Sequence, residues 1–570
     1  MVLSGFRATF PLLGLITLGT QLLGLCHRWR AKTVSFRVSV AWFLLLPSVA
    51  LIAVCCSIPP GLLWPSEQDG FDVLEYHLQL PREWLEKGQI AGLEHNVYSF
   101  FPNLFESAFL HLGIWKQSVV SAAYSAQFLH ALMAMSTSLL LVGILSHSIL
   151  AAEEIKSNQW EWTSVGAGAI YLAIPWTLVT ASMAYTEQAM LALGSGSFFL
   201  ALMRKSEFSN LKAAFLNGLL SGTLTGLAAF CKLSALGMIG LPVLGILGMR
   251  FDLNRKIRLW RMGGFLTGLG MVFSLWLVRN WQWTGNPFFP FLTEWFGYAH
   301  WTLEQTQRWH LAHNSDLLFR DRIGAFFSLR QGIGHPQFGW FLWPLILTGT
   351  WLGLFNRKAR FPTLLLLMCL SLQISFWLFC THLMSRFLLP CLIPGCLMVG
   401  LAFRAITWRF KEVFLAGIIL LLMAQGYLLF LKTRGGTTVA FIDGLQFLIN
   451  QTEPHRFLNG LPAGSRVYSE GMPSPLYIRT PFTYHTAFDA SPLGEILRQG
   501  TSSTVIPGLR ERGYTHLLID WWMLRLYWTS HRYGYDPEIT RERLLAICEG
   551  LIPVYQEAAT GVVIYRLPWK

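Results

Sequence analysis

The sequence predicts an all-α polytopic membrane protein of about twelve transmembrane helices, with a C-terminal extracytoplasmic α/β domain. Three observations carry that prediction. Hydrophobic residues make up 53% of the 570 residues and charged residues only 13%, where an average soluble domain carries about 25% charged residues. Apolar runs recur along residues 1–431, many of them reaching the ~20 residues that span a hydrocarbon core. The composition then changes at Gly435-Gly436, and short β-like runs alternate with helical stretches through residues 432–570.

The net charge of +13 does not point to nucleic acid. The basic residues sit in short clusters between apolar runs, the distribution of loops held on the cytoplasmic side. Of the nine cysteines, Cys548 alone lies in the polar tail. The others lie in or beside apolar segments, with the spacing of neither a disulfide framework nor a metal site, and read as small buried hydrophobes.

The elements follow in order. Residues 8–26 form a first apolar run with no small-residue cleavage site behind it, so it reads as a helix and not a signal peptide. Arg28, Arg30, Lys32 and Arg37 then mark the cytoplasmic side. A second helix, 38–58, leads outward into a first outer loop, 59–118. There Glu67, Asp69, Asp72, Glu75 and His77 fall within eleven residues. Ionisable groups where a chain leaves the bilayer are costly unless water or a polar cavity receives them; a solvated loop and an active site both meet that condition. Residues 80–88 have the spacing of a short interfacial helix stopped by Gly88. Residues 100–106 open a second apolar stretch too short to span. Its Glu106 is either a functional carboxylate or a snorkelling rim residue.

Helices at 123–146 and 167–183 lead, through a polar stretch at 153–162, to Tyr185-Thr186-Glu187-Gln188 outside. A fifth, 188–203, returns to Arg204, Lys205 and Lys212. The run 213–248 is too long for one helix and reads as two tight ones with Lys232 at the outer turn, because the basic block from Arg250 to Arg261 must be cytoplasmic. An eighth helix, 263–278, exits at Arg279-Asn280, and Gly285-Asn286-Pro287 turns the chain sharply. The outer loop beyond holds Trp309, His310, His313 and His335. Helices 338–354, 361–380, 387–403 and 413–431 complete the set, with His382 and Arg386 on an outer turn. On this topology every cluster of basic residues between helices falls on one face. Asp72, Glu187, Lys232, Arg279 and Arg386 fall on the other. In the tail, β-like runs at 465–469, 516–520 and 562–567 alternate with helical stretches at 438–451 and 539–549. It contains no Gly-rich phosphate loop, zinc spacing or Ser-His-Asp order. Its Asp520, Arg525, Tyr533 and Asp536 read as surface decoration before substrate contacts.

Several short motifs share this order and sidedness. Asp72 precedes Glu75-Tyr76-His77-Leu78; residues 103–106 end in Glu106; Tyr185-Thr186-Glu187 forms an acidic tip; Lys232 follows Gly226-Leu227-Ala228-Ala229; Arg279-Asn280 precedes Gly285-Asn286-Pro287; and Arg386 opens Arg386-Phe387-Leu388-Leu389-Pro390. Across residues 38–431 this layout resembles the GT-C superfamily of integral-membrane glycosyltransferases that use polyprenyl-phosphate sugars. Within it, the chain is similar to bacterial relatives of protein O-mannosyltransferases and of the lipid A aminoarabinose transferase. Two features depart from the pattern. The strict Asp-x-Asp or Asp-Glu pair of some members is absent, which leaves divalent-metal use open, and the extra first helix is not typical.

The resemblance implies transfer of a sugar from a polyprenyl-phosphate donor to an acceptor, be it protein, lipid or glycan, in a single inverting displacement on the outer face. It implies Asp72 as the catalytic carboxylate, with Glu75, Tyr76, His77, Glu106, Glu187, Lys232, Arg279, Asn280 and Arg386 around the substrates; His382 joins them because it lies on the same side as the departing phosphate. It also implies a bacterial inner membrane, with the active face and C-terminal domain periplasmic. The chemistry agrees. Such a transfer needs a base or an orienting carboxylate at the acceptor, and fixed cations at the departing phosphate. Arginine suits the phosphate because its planar fork binds two oxygens. The plain alternatives are interfacial snorkelling for Arg279 and Arg386 and turn positions for Lys232 and Glu187. A polytopic transporter or flippase of lipid-linked or envelope substrates is the alternative function. It would be expected to show internal repeats and midplane charges, where this chain shows no repeat and charges at one face. An inactive envelope scaffold is the third reading.

Overall fold

The computed structural model describes residues 39–150, 157–208, 210–313, 317–406, 410–437, 444–530, 533–558 and 560–568. The expected helix at 8–26 lies outside these residues. Six described helices are long and apolar enough to cross a membrane: Ala123–His147, Leu211–Cys231, Arg255–Thr284, Arg360–Cys380, Ser385–Ala405 and Lys411–Phe430. Shorter apolar helices lie at Val40–Cys56, Leu236–Met249 and Leu342–Phe355, with Glu187–Ala201 beside them.

The helix expected over 167–183 is instead two, Glu161–Ala173 and Pro175–Ala181, bent by 64°. Ile174 is extended at φ −62°, ψ 126°, the conformation that a residue before proline prefers. The 213–248 run does divide at Lys232. That residue is extended at φ −155°, ψ 123°, and the chain restarts in a π turn, Leu236–Gly240.

Helices Leu211–Cys231 and Arg255–Thr284 pack backbone to backbone. A β-carbon on Gly218 or Gly222 would lie 2.0 or 1.9 Å from the carbonyl oxygen of Arg261 or Phe265. Gly264 and Gly268 face Phe215 and Leu219 just as closely. Small residues four apart permit this approach where lipid offers no hydrophobic drive. The basic block beside them has a structural part. Arg250 and Arg261 are fully buried and donate to the carbonyls of Leu200, Ala201 and Met203. They satisfy the orphan oxygens at the end of Glu187–Ala201.

Residues 467–566 hold a five-stranded sheet: β1 Val467–Glu470, β2 Phe482–Thr483, β3 His516–Asp520, β4 Ile552–Glu557 and β5 Val562–Arg566, in spatial order β2-β1-β3-β5-β4. β1 pairs parallel with β2 and β3, whereas β5 runs antiparallel to both β3 and β4. Helices Pro492–Gln499, Ser502–Glu511, Trp521–Thr529 and Arg541–Cys548 cover it. The first three helices, β2 and β4 are not anticipated by the sequence pattern; β2 is two residues long, and β4 carries Pro553 and is largely exposed. This unit sits on the first outer loop. Arg82 donates to the carbonyls of Pro475 and Leu476 at 3.0 and 2.9 Å. Tyr484 donates to Glu83 at 2.7 Å, and Asp489 accepts from the Val97 amide and the Trp301 indole, each at 2.9 Å.

Candidate active site

The site begins with a tight reversal. Trp64, Gln68, Asp69 and Gly70 all have positive φ, and the Trp64 indole N–H anchors the turn on Ser182 Oγ at 2.8 Å. The chain then enters a π turn, Val73–His77, closed by the Leu78 amide on the Val73 carbonyl at 3.0 Å. The wider i→i+5 winding is frequent at functional sites. Here it sets Asp72, Tyr76 and His77 on one cavity. Glu75 is buried away from it, its backbone carbonyl held by Asn96 Nδ2 at 3.0 Å.

Arg386 opens the short 3-10 segment Ser385–Cys391, and its guanidinium gathers three carboxylates. Its Nη1 meets Glu67 at 2.5 Å, Nη2 meets Asp72 at 2.7 Å and Nε faces Glu187 at 3.1 Å. Lys232 pairs with the same Glu187 oxygen at 2.5 Å. Tyr185 lies under the guanidinium, 4.7 Å from ring centroid to Cζ, and donates to Glu67 at 3.2 Å. The turn that carries Glu187 is held from behind. His130 Nδ1 faces the carbonyls of Thr180 and Met183 at 2.9 and 2.8 Å, and its Nε2 accepts the Gln188 amide at 2.9 Å, a pattern that requires the neutral ring with its proton on Nδ1.

These contacts set the carboxylates apart. Burial would raise Asp72, but Arg386 first, then His77 and Lys232, outweigh it and hold the carboxyl below its ordinary value. At Glu67, burial exceeds the pull of Arg386, and neighbouring Asp72 and Glu187 add to it, so its carboxyl is raised. Glu75 is raised further by burial and by the charges of Asp72 and Asp489. Like charges sharing one site push pKa values apart in this way.

The cavity has a volume of about 570 Å³. Asp72, Tyr76, His77, Glu106, Lys232, His382 and Arg386 line its polar part, and Phe273, Trp276, Phe288, Phe291, Phe376 and Phe387 its apolar part. Four expected residues stand back from it. Glu187 acts behind Lys232 and Arg386. Arg279 donates to the Phe100 and Phe101 carbonyls, Asn280 to those of Phe100 and Phe289, and both therefore brace the first outer loop. Glu75 is the fourth. Glu67 and Tyr185 belong to the cluster although the sequence reading did not select them; Glu67 stood in the acidic stretch and Tyr185 in the acidic tip, but their common partner is 319 residues from Glu67. Tyr533, read as tail decoration, also reaches the cavity wall. Among the described residues no three His, Cys, Asp or Glu side chains group as a metal ligand set. Glu67, Asp72 and Glu187 turn onto Arg386 instead.

The helical frame that carries this cluster shares its fold with ArnT. The chain is similar to ArnT from Cupriavidus metallidurans in its apo state, with 14% identity, a TM-score of 0.57, and coverage of 92% of this chain and 98% of that one. It is similar, too, to ArnT from the same organism bound to undecaprenyl phosphate, with 13% identity, a TM-score of 0.55, and coverage of 93% and 99%. No protein-family model and no curated protein matches the sequence.

Proposed function

We propose that this chain is a membrane glycosyltransferase that moves a sugar from a polyprenyl-phosphate donor to an acceptor on the outer, periplasmic face of a bacterial inner membrane, with Asp72 as its catalytic carboxylate. The single observation that carries this reading is the cavity itself. It joins a carboxylate and two fixed cations to a wall of aromatic rings, which matches the chemistry of a lipid tail ending in a sugar phosphate. Lys232 and Arg386 stabilise the departing phosphate, and Asp72 meets the acceptor hydroxyl. The ArnT structure bound to undecaprenyl phosphate supports a donor of that class. The six long helices and the bent pair support seven of the crossings; the proposed twelve-crossing topology adds the shorter helices Val40–Cys56, Glu187–Ala201, Leu236–Met249 and Leu342–Phe355 and the 8–26 run. Residues 432–570 form the periplasmic domain over the first outer loop.

The test is transfer of labelled sugar from a panel of polyprenyl-phosphate donors in membranes carrying the wild type or Asp72→Asn. The swap keeps the side chain's size and removes its charge. Transfer by the wild type that falls on the order of 10²-fold or more in Asp72→Asn is the expected result. Equal transfer by both removes Asp72 from the mechanism. No transfer from any donor in the panel makes transport or scaffolding the next reading to test, beside a wider set of donors.

A further inference from the structure

His77 and Glu106 meet across two elements, the π turn Val73–His77 and the helix Leu104–Lys116. His77 Nδ1 lies 2.7 Å from Glu106 Oε1. Both side chains are more than nine-tenths buried, yet both line the cavity that contains Asp72. A carboxylate accepts, so Nδ1 carries the proton in this pair. Nε2, the other ring nitrogen, makes no hydrogen bond among the described residues and is the one left for a substrate. Glu106 Oε2 is buried and without a hydrogen-bond partner among the described residues. The hydrogen bond that Glu106 makes among the described residues is the one to this imidazole, with the Arg279 charge acting on it from nearby.

Asp72 is differently placed. Its carboxylate already pairs with Arg386 at 2.7 Å, and a carboxylate held by a guanidinium keeps its charge and takes up a proton poorly. It remains well suited to accept a hydrogen bond from a hydroxyl. The π turn sets these two groups on the same cavity, five residues apart in sequence.

We propose that His77, oriented by Glu106, is the base that takes the acceptor's proton, while Asp72 holds the acceptor hydroxyl in line with the anomeric carbon. The inference rests on the glycosyltransferase reading and divides its chemistry between two groups. The acceptor oxygen bonds to the anomeric carbon as the bond from that carbon to the phosphate oxygen breaks. The polyprenyl phosphate leaves with the electron pair. The acceptor proton passes to Nε2 of His77, and Glu106 balances the imidazolium that forms. A carboxylate behind an imidazole fixes the ring's tautomer and direction in other proton transfers. His77 is then a catalytic residue, and Glu106 a positioning residue that acts through it.

The experiment uses the full-length protein and the donor that the wild type turns over in the panel above. His77→Ala is expected to lose transfer on the order of 10²-fold. Added imidazole is expected to restore about tenfold of it, since the deletion leaves room for a free base. Glu106→Gln is expected to lower kcat with KM for the donor unchanged, a split that damage to donor binding would not produce. A readout that needs no turnover is acylation of His77 by diethyl pyrocarbonate, followed by peptide mass spectrometry. It is expected in the folded wild type and is suppressed by undecaprenyl phosphate. The proposal is overturned if His77→Ala keeps transfer within threefold of wild type, if imidazole restores nothing while Glu106→Gln behaves as wild type, or if His77 resists acylation. In each of those cases a dead Asp72→Asn leaves the glycosyltransferase reading standing, with Asp72 itself as the base. Full transfer by Asp72→Asn and His77→Ala alike removes both residues from the mechanism and leaves the transferase activity itself standing.

Discussion

Arg386 shows what one side chain contributes. Its planar fork reaches Glu67, Asp72 and Glu187 in three directions, a geometry that an ammonium cannot copy. Removing one partner from a buried charge cluster typically costs about 3–5 kcal/mol, because the remaining charges stay desolvated. Arg386→Lys is therefore expected to lower the unfolding temperature in detergent, and to cut transfer at least about tenfold. A variant with wild-type stability and transfer would show that charge alone, and not the fork, is needed. The sequence singled out Arg386 and Asp72 by side of the membrane. It could not pair them, because 314 residues separate the two and nothing local encodes the contact.

At the scale of elements, the Leu211–Cys231 and Arg255–Thr284 pair is set by its glycines. Leu211–Cys231 ends at Lys232, so its seating decides where that ammonium meets Glu187. Gly222→Leu would force a side chain into the Phe265 backbone, and overpacking of this kind costs about 1–3 kcal/mol. The expected outcome is a lower unfolding temperature and weaker transfer. Gly270→Ala on the same pair meets open space and is expected to leave both unchanged. Equal behaviour of the two variants in a thermal unfolding assay would refute close packing here. Much at this scale was legible. Arg360–Cys380 and Lys411–Phe430 fall close to the apolar runs that predicted them, because length and hydropathy suffice for a helix with lipid around it. The 64° break was less so. Pro175 is visible in the sequence, but proline is tolerated in membrane helices, and its presence alone does not say whether a helix bends.

Across the whole molecule, the β-sheet unit is tied to the first outer loop through Glu83. That carboxylate accepts from Gln79, Tyr484 and His95 at 3.0, 2.7 and 3.0 Å. Burial opposes its charge, but the His95, Tyr484 and Gln79 hydrogen bonds prevail and bring its pKa down from 4.5 to about 2. A carboxylate lowered on folding contributes stability that is present above the unfolded value and lost as pH falls through the folded one. The contact should therefore hold above about pH 4.5 and weaken toward pH 2. Glu83→Gln is expected to lower the unfolding temperature at neutral pH and to flatten its fall over that acidic window. An unchanged pH profile in the variant would separate Glu83 from the docking. Tyr533 gives this contact a second consequence, since it carries the tail to the wall of the cavity beside Asp72. Its replacement by alanine is expected to change the KM for the acceptor more than that for the donor, read from transfer at varied concentrations of each.

The sequence by itself determined what composition and order can encode: a frame of apolar helices and an acidic loop around Asp72. Those properties are local, because hydropathy and charge act on each segment whatever its neighbours do. Only the tertiary structure decided which charges meet. It turned Arg279 and Asn280 into braces and withdrew Glu75 from the cavity. It brought Glu67 and Tyr185 to Arg386, and Glu106 to His77. Such pairings depend on elements from 29 to more than 300 residues apart docking at set angles, and on a π turn that rotates a few side chains onto one cavity. The physical reason is one of range: burial preference is written residue by residue, whereas a buried charge is tolerable only beside a partner that the fold must deliver.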